Sequence, residues 1–180
     1  MPALKPEPIQ PHNISGAKAE DKAMFLYEIF TPDLIKIGLE AEDKDEAFEE
    51  LVDHYCKTKN TSVRDKLLEA LWDRESKMST GIQKGIALPH GKSEVMENVR
   101  GILGISRKGI DYDALDNQPV YLLFMLLAPK ADSEEHLRIL KRLAELLDNP
   151  QFYTELLAQN DPQSANRIIK KYEDIYIASE

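Results

Sequence analysis

The sequence predicts a single α/β domain in which a mixed central β-sheet is flanked by helices on both faces. Segments with apolar residues at helical spacing alternate with short apolar segments that suit strands. Residues 120–127 are apolar on both faces, which is typical of a central strand covered by helices on its two sides. A length of 180 residues and a hydrophobic share of 42% are those of one soluble domain with a sizeable core.

The N-terminal segment is predicted to be separate from the domain. Residues 1–20 are expected to form a flexible tail, because four prolines lie among them and apolar periodicity is lacking. The folded domain is predicted to cover residues 21–180. A short helix is expected over residues 21–30, where Thr31 and Pro32 end it, and a first strand over residues 34–39.

Two amphipathic helices are predicted next. Residues 43–46 have the character of a capping box before an apolar stripe formed by Ala47, Phe48, Leu51, Val52 and Tyr55. The second helix starts at Ser62 and ends near Arg74, with a buried side formed by Val63, Leu67, Leu71 and Trp72. A polar loop containing Gly81 is expected to follow it.

The second half of the chain is predicted to contain three strands and three helices. The strands are residues 86–88, 101–106 and 120–127. A helix opens at residues 132–135, with an apolar stripe of Leu137, Leu140, Leu143, Ala144 and Leu147. Two shorter helices then begin at Pro150 and Pro162, because Asn149 and Asp161 are capping residues directly before a proline.

Composition excludes several classes of protein. A formal net charge of −9 argues against a nucleic-acid partner, which would require a basic face. The single cysteine, Cys56, rules out an internal disulfide and suits a reducing cytosol. The N-terminus lacks the apolar region of a secretory signal, and the longest apolar run, residues 120–128, is far shorter than the ~20 residues of a membrane span. The sequence therefore predicts a cytoplasmic protein without direct membrane insertion.

The most informative segment is residues 85–92, Gly-Ile-Ala-Leu-Pro-His-Gly-Lys. Pro89 has a fixed φ and no N–H, so a strand is expected to stop there. Gly91 would let the chain turn immediately afterwards. His90 is therefore predicted to lie at the mouth of a strand, where it could act as a base, a metal ligand or a nucleophile.

Other motifs leave few uses for this histidine. The chain has no His-x-x-x-His or Cys-x-x-Cys pair, so no metal site is predicted. It also lacks a Gly-x-Ser-x-Gly elbow, and its glycines do not have the spacing of a nucleotide-binding loop. A histidine that is itself a phosphoryl acceptor remains, and such a site requires donors for the phosphoryl oxygens.

Arg74 is the candidate donor, because a guanidinium can hold two phosphoryl oxygens at once. The residues alone allow two other roles for Arg74, a cap on its own helix or a surface ion pair. The remaining histidines, His12 in the tail, His54 on a helix and His136 early in another helix, are taken by themselves as structural or inert.

Residues 79–92 resemble the active-site signature of the mannitol/fructose-type IIA proteins of the bacterial phosphoenolpyruvate:sugar phosphotransferase system. The resemblance extends over roughly residues 34–172, with Arg74 upstream and His136 downstream at the family positions. Residues 116–129 are most similar to the nitrogen-regulatory branch of that family. The resemblance implies the same single α/β domain with a mixed sheet.

The family also implies roles for three residues. His90 would accept a phosphoryl group on its Nε2 (tele) nitrogen from the phosphohistidine of the carrier protein HPr. Arg74 and His136 would flank it and stabilise the phosphoryl group, and no metal, nucleotide or other cofactor would take part.

Three functions are compatible with this resemblance. The first is a regulatory protein whose target contacts depend on the phosphorylation of His90. The second is a sugar-specific IIA component that passes the phosphoryl group to a separate IIB protein in fructose- or mannitol-type uptake. The third is a binding module that does not depend on phosphorylation, and the retention of Arg74 and His136 argues against it. Since no IIB cysteine loop or membrane segment accompanies the domain, the regulatory role is favoured.

Overall fold

The structure is a computed structural model that describes residues 24–131 and 134–180. The predicted tail, residues 1–20, lies outside these ranges. The helices within them are α1 Leu26–Ile29, α2 Lys44–Lys59, α3 Arg64–Glu75, α4 Glu134–Leu147, α5 Pro150–Leu157 and α6 Pro162–Ser179. The strands are β1 Ile35–Ile37, β2 Gly81–Gln83, β3 Ile86–Ala87, β4 His90–Ser93, β5 Arg100–Ile110 and β6 Val120–Pro129. Among the helices described, none combines the length and the apolar character needed to cross a membrane.

The strands form one mixed sheet, as predicted. Its order is β1-β5-β6-β3-β2, and β4 also pairs with β6. The β5 and β6 strands are antiparallel, whereas β1 runs parallel to β5. On the other side of β6, β3 and then β4 run parallel to it, with Ile86 opposite Leu122 and His90 opposite Leu126.

Helices cover both faces of the sheet, which confirms the predicted fold class. Alternate side chains of β6 enter two separate hydrophobic clusters because successive strand residues point to opposite faces. Leu122, Phe124 and Leu126 pack in one cluster with residues of α1, α4, α5 and α6. Leu123 and Met125 pack in the other with residues of α2 and α3. This double burial explains why β6 is apolar on both faces.

Three of the predicted helix starts are capped by side chains that accept hydrogen bonds from backbone N–H groups. The Asp43 carboxylate accepts a hydrogen bond from the backbone N–H of Glu46 at 2.9 Å. Asn149 and Asp161 act in the same way at α5 and α6. The prediction that both last helices are short is wrong for α6, whose 18 residues exceed the 14 of α4.

Several helix boundaries and faces differ from the prediction. Of the helix expected over residues 21–30, residues 21–23 lie outside the described ranges, and the described part contains the four-residue helix α1 followed by a 3₁₀ turn at Pro32–Leu34. Trp72, expected on the buried side of α3, is 36% exposed, and its ring centroid lies 4.8 Å from that of Phe48. Leu137 is 62% exposed. The side of α4 that faces the sheet is formed by His136, Ile139, Leu143 and Leu146, so Leu143 is the one member of the predicted stripe that is buried.

The chain does not turn at Gly91, so that prediction is wrong. The strand is interrupted at Leu88 and Pro89 and resumes at His90 as β4. Pro89 donates no hydrogen bond, but its carbonyl accepts one from the backbone N–H of Leu126 at 2.9 Å. The pairing with β6 therefore continues past the proline, and Gly91 lies extended opposite Leu127.

Candidate active site around His90

His90 is the first residue of β4, and its side chain is half-buried. The next residue, Gly91, lies directly against α3. A Cβ added at Gly91 would lie 2.8 Å from the carbonyl carbon of Ala70 and 3.0 Å from the backbone nitrogen of Leu71. Only glycine therefore allows the helix to pack this close to the strand, and this packing brings the last turn of α3 beside His90.

Arg74, in that last turn, reaches the imidazole of His90. Its Nε donates a hydrogen bond to Nε2 of His90 at 3.1 Å, and its Nη1 donates to the carbonyl of Met78 at 3.0 Å. Within the described parts of the chain, Arg74 forms no ion pair with a carboxylate. The structure thus brings Arg74 and His90 together, and it does not show the surface ion pair that the sequence also allowed.

The imidazole of His90 is held by both ring nitrogens. Nδ1 lies 2.8 Å from the carbonyl oxygen of Leu88. A carbonyl can only accept a hydrogen bond, so Nδ1 carries the ring proton. Nε2 then bears the lone pair, and this lone pair accepts the hydrogen bond from Arg74. The nucleophilic nitrogen faces the guanidinium.

His136 approaches the same point from the other helical layer. It lies near the start of α4, is 3% exposed, and its ring centroid is 5.4 Å from that of His90 with the planes tilted by 49°. The structure does not bring His54 to this site. His54 lies on α2, with Nε2 2.9 Å from the carbonyl oxygen of Asp33, and His12 lies outside the described residues.

The surroundings favour the neutral form of His90. Burial is the largest influence and lowers the pKa of His90 below its ordinary value. The hydrogen bond to the Leu88 carbonyl opposes this shift, and the positive charge of Arg74 adds to it. A histidine with a lowered pKa is uncharged near pH 7, so its Nε2 lone pair is available for attack.

A buried polar cluster lies beside these residues, and the sequence analysis did not assign it a role. The Glu75 carboxylate is 6% exposed. It accepts hydrogen bonds from the backbone N–H of Thr80 at 3.0 Å and from the Thr80 hydroxyl at 2.6 Å. The Lys44 ammonium lies 3.0 Å from Glu75, and the Tyr112 hydroxyl lies 2.8 Å from that of Thr80.

A signal for Glu75 was present in the sequence. Leu67, Leu71 and Glu75 are spaced by four residues, which places them on one face of a helix. All three are buried. A glutamate that continues an apolar stripe requires buried partners, because an unpaired buried carboxylate is costly. No comparable pattern marks Lys44 or Tyr112.

The arrangement suits the acceptance of a small anionic group. A neutral imidazole offers a lone pair, a guanidinium lies beside it, and a second imidazole is close. In the described ranges, no three histidine, cysteine or carboxylate side chains are grouped so that they could hold a metal ion. Arginine fits this chemistry well because it donates several hydrogen bonds in a fixed planar arrangement.

Comparison with known proteins shows which family and which relatives the chain is similar to. The family model "Phosphoenolpyruvate-dependent sugar phosphotransferase system, EIIA 2" matches residues 28–172. The chain is 34% identical over 150 residues to the fructose-specific EIIABC component of Bacillus subtilis, covering 83% of this chain but only 24% of that protein. It is 31% identical over 146 residues to a nitrogen regulatory protein of Bradyrhizobium diazoefficiens, covering 81% of this chain and 95% of that protein.

Solved structures show the same fold. The nitrogen regulatory protein IIA-Ntr of Neisseria meningitidis matches with a TM-score of 0.73 and 29% identity, over 79% of this chain and 97% of that chain. The IIA mannitol protein of Escherichia coli matches with a TM-score of 0.65 and 18% identity, over 77% of this chain and 97% of that chain. The second likeness concerns the fold alone.

Proposed function

Because the chain belongs to the type 2 EIIA family of the phosphoenolpyruvate-dependent sugar phosphotransferase system, we propose that it is a phosphocarrier that accepts a phosphoryl group on Nε2 of His90. Membership makes it a phosphotransferase component. The supporting observation is the hydrogen-bonding of the His90 ring. Nδ1 is bound to the Leu88 carbonyl, and Nε2 faces Arg74.

The transfer needs no proton movement on His90. The Nε2 lone pair attacks the phosphorus of a donor phosphohistidine, and the new N–P bond forms as that of the donor breaks. The electron pair of the broken bond stays on the donor nitrogen. Nδ1 keeps its proton, and the Leu88 carbonyl stabilises the positive charge that develops on the ring.

Arg74 and His136 stabilise the transferred group in this proposal. In the resting site, Arg74 donates a hydrogen bond to the lone pair that must attack. When the donor enters, the N–H groups of Arg74 leave Nε2 and donate to the phosphoryl oxygens instead. Such preorganised donors stabilise the charge that develops in the transition state. His136 approaches from the opposite helical layer and completes the surroundings of the group.

We infer that the donor is a histidine-phosphorylated carrier of the HPr type and that the transfer takes place in the cytoplasm. The single cysteine, Cys56, fits a reducing compartment. The acidic character of the chain, with a net charge of −9, favours a donor that presents a basic surface.

We further infer a regulatory role of the nitrogen type. Support comes from the nitrogen regulatory protein of B. diazoefficiens, which this chain matches over 95% of its length. A phosphoryl group adds about two negative charges, enough to reverse a protein contact. A sugar-specific IIA role is the second candidate, because a region of the fructose-specific component of B. subtilis is 34% identical.

Phosphorylation by a reconstituted donor system tests the proposal. The protein is mixed with phosphoenolpyruvate, enzyme I and HPr, and acid-labile phosphate is measured. We expect one phosphoryl group on the wild-type chain and none on His90→Ala. A wild type that stays unlabelled would contradict the phosphocarrier function and leave the phosphorylation-independent binding module. Equal labelling of His90→Ala would refute the site.

A second experiment separates the regulatory role from sugar transport. The phosphorylated protein is added to a panel of purified fructose- and mannitol-type IIB proteins, with spontaneous hydrolysis as the background. The regulatory proposal predicts that phosphate is lost no faster than this background. Rapid transfer to any IIB cysteine would overturn the regulatory role in favour of sugar uptake.

A further inference from the structure

We propose that Glu75 is a positioning residue that, through Thr80, holds Arg74 in register with Nε2 of His90. The inference rests on the proposed function, since it concerns how the acceptor site is kept in a productive geometry. Neither the signature around His90 nor the helix pattern assigns this task to Glu75.

The first support is the complete pairing of the Glu75 carboxylate. One oxygen accepts from the backbone N–H of Thr80 and from Lys44 Nζ, each at 3.0 Å. The other oxygen accepts from the Thr80 hydroxyl at 2.6 Å. Glu75 is the last residue of α3 and directly follows Arg74. Fixing its side chain therefore fixes the turn of helix from which Arg74 extends.

The second support is that Thr80 also connects to His90. The Thr80 carbonyl accepts a hydrogen bond from the backbone N–H of Leu88 at 3.0 Å. The Leu88 carbonyl lies 2.8 Å from Nδ1 of His90. A continuous series of hydrogen bonds thus runs from Glu75 through Thr80 and Leu88 to the imidazole. The hydrogen bond from Arg74 to His90 closes this series into a ring.

Lys44 and Tyr112, which lie outside α3, make further contacts with the residues of this hydrogen-bonded series. Because the Thr80 hydroxyl donates to Glu75, the fully buried Tyr112 donates to Thr80. Lys44 Nζ lies 4.9 Å from the centre of the Tyr112 ring and neutralises Glu75. The carboxylate therefore has a counter-ion other than Arg74, and the guanidinium can be directed at His90.

A matched pair of substitutions tests the proposal. Glu173 is a second buried carboxylate, which accepts from the backbone N–H of Leu26 at 2.8 Å and pairs with Arg142 Nη1 at 3.2 Å. It lies on α6, outside the site. Glu75→Gln and Glu173→Gln each remove one buried charge, and thermal unfolding records the loss of stability in both. We expect Glu75→Gln to slow phosphoryl transfer about tenfold at saturating donor, with little change in KM. Glu173→Gln should keep the wild-type rate.

A double substitution shows whether Glu75 acts through Arg74. If it does, Arg74→Gln combined with Glu75→Gln is no slower than Arg74→Gln alone, because the positioned group is already absent. Slowing effects that multiply in the double variant would overturn the proposal. So would a Glu75→Gln protein that transfers at the wild-type rate.

If Glu75→Gln does not fold, Thr80→Val can be used to test the same proposal. It removes the hydroxyl between Tyr112 and Glu75, and we expect slowed transfer, whereas Thr80→Ser should restore the wild-type rate. Equal rates for Thr80→Val and wild type would contradict the proposal.

Nitrogen NMR of His90 separates this inference from the proposed function. The Nε2 chemical shift reports the hydrogen bond from Arg74 without any phosphorylation. It should change in Glu75→Gln and stay constant in Glu173→Gln. A wild-type protein that accepts no phosphate in the labelling assay would refute the phosphocarrier function, while an unchanged Nε2 chemical shift in Glu75→Gln would refute the positioning role.

Discussion

At the scale of single residues, the chemistry depends on which ring nitrogen of His90 carries the proton. The carbonyl of Leu88 accepts from Nδ1, so Nε2 keeps its lone pair next to Arg74. A proton on Nε2 would block both the contact with Arg74 and the attack on phosphorus. The backbone just before Pro89 therefore selects the nucleophilic atom.

The charge of His90 can be followed directly by NMR titration. Burial and the positive charge of Arg74 lower the pKa of His90, so we expect it to titrate below the ordinary value. Arg74→Gln should raise this pKa, because the positive charge of Arg74 is one of the causes that lower it, and burial, the largest cause, should keep it below the ordinary value. His54, whose pKa is also lowered by burial, serves as the control and should not respond. A wild-type His90 that titrates at or above the ordinary value would contradict the described site.

Arg74 is expected to contribute to transfer rather than to stability. Arg74→Gln should slow phosphoryl transfer about 100-fold, the usual effect of removing a donor to developing charge. Its melting temperature should stay close to that of the wild type, because the side chain is partly exposed. Arg64→Gln, at the other end of α3 and paired with Asp53, is the matched control and should transfer normally. An unfolded Arg74→Gln would show that Arg74 has a structural role.

The sequence could indicate His90 and Arg74 because proline, histidine, glycine and an upstream arginine form a recognisable pattern. It could not orient α4. Apolar residues lie on two overlapping faces of that helix, one containing Leu137 and Leu140 and the other Ile139 and Leu146, and Leu143 belongs to both. Helical spacing alone cannot choose between such faces. Packing against the sheet selects the face with His136.

At the scale of elements, the two strands around Pro89 position the site. In the described part of the sheet, β3 and β4 pair with the same side of β6, and His90 is the first residue of β4. The four residues of β4 have no apolar periodicity, and β2 has only three residues. Neither strand could be predicted from its own sequence, because pairing with distant residues holds them in place. The long strand β6 was predictable because it is buried on both faces.

The contact between α3 and β4 should tolerate no side chain at Gly91. In Gly91→Ala the added Cβ meets the backbone of Ala70 and Leu71, so the helix must move away from the strand. We expect a loss of about 1–3 kcal/mol in the free energy of unfolding and slowed transfer, because Arg74 moves away from His90. Denaturant unfolding and the labelling assay measure the two effects.

Gly38→Ala is the control for Gly91→Ala. A Cβ at Gly38 would meet nothing within 4 Å, although the φ of +76° disfavours alanine. This variant should lose stability through backbone strain and still transfer normally. A Gly91→Ala protein with an unchanged transfer rate would show that the close packing of α3 does not position Arg74.

At the scale of the whole molecule, the site lies where the two helical layers meet one strand. Arg74 comes from α3 in one layer and His136 from α4 in the other, and His90 lies between them. The layered fold could be predicted from the apolar strand and the amphipathic helices. The residue patterns alone could not predict that three residues from three elements converge, because this depends on how strands and helices pair over long separations. The family resemblance supplied that expectation.

The domain boundary remains a prediction at this scale. If residues 1–20 form a tail independent of the domain, a chain without them should have the same melting temperature and the same transfer rate as the full chain. Thermal unfolding and the labelling assay provide both values. A truncated chain that melts lower or accepts phosphate more slowly would show that the segment contributes to the domain.

Phosphorus and nitrogen NMR of the phosphorylated protein test the central claim most directly. The account predicts one phosphoryl group, bonded to Nε2 of His90, with the proton retained on Nδ1 and held by the carbonyl of Leu88. A phosphoryl group on Nδ1 of His90, or on His54 or His136, would contradict it.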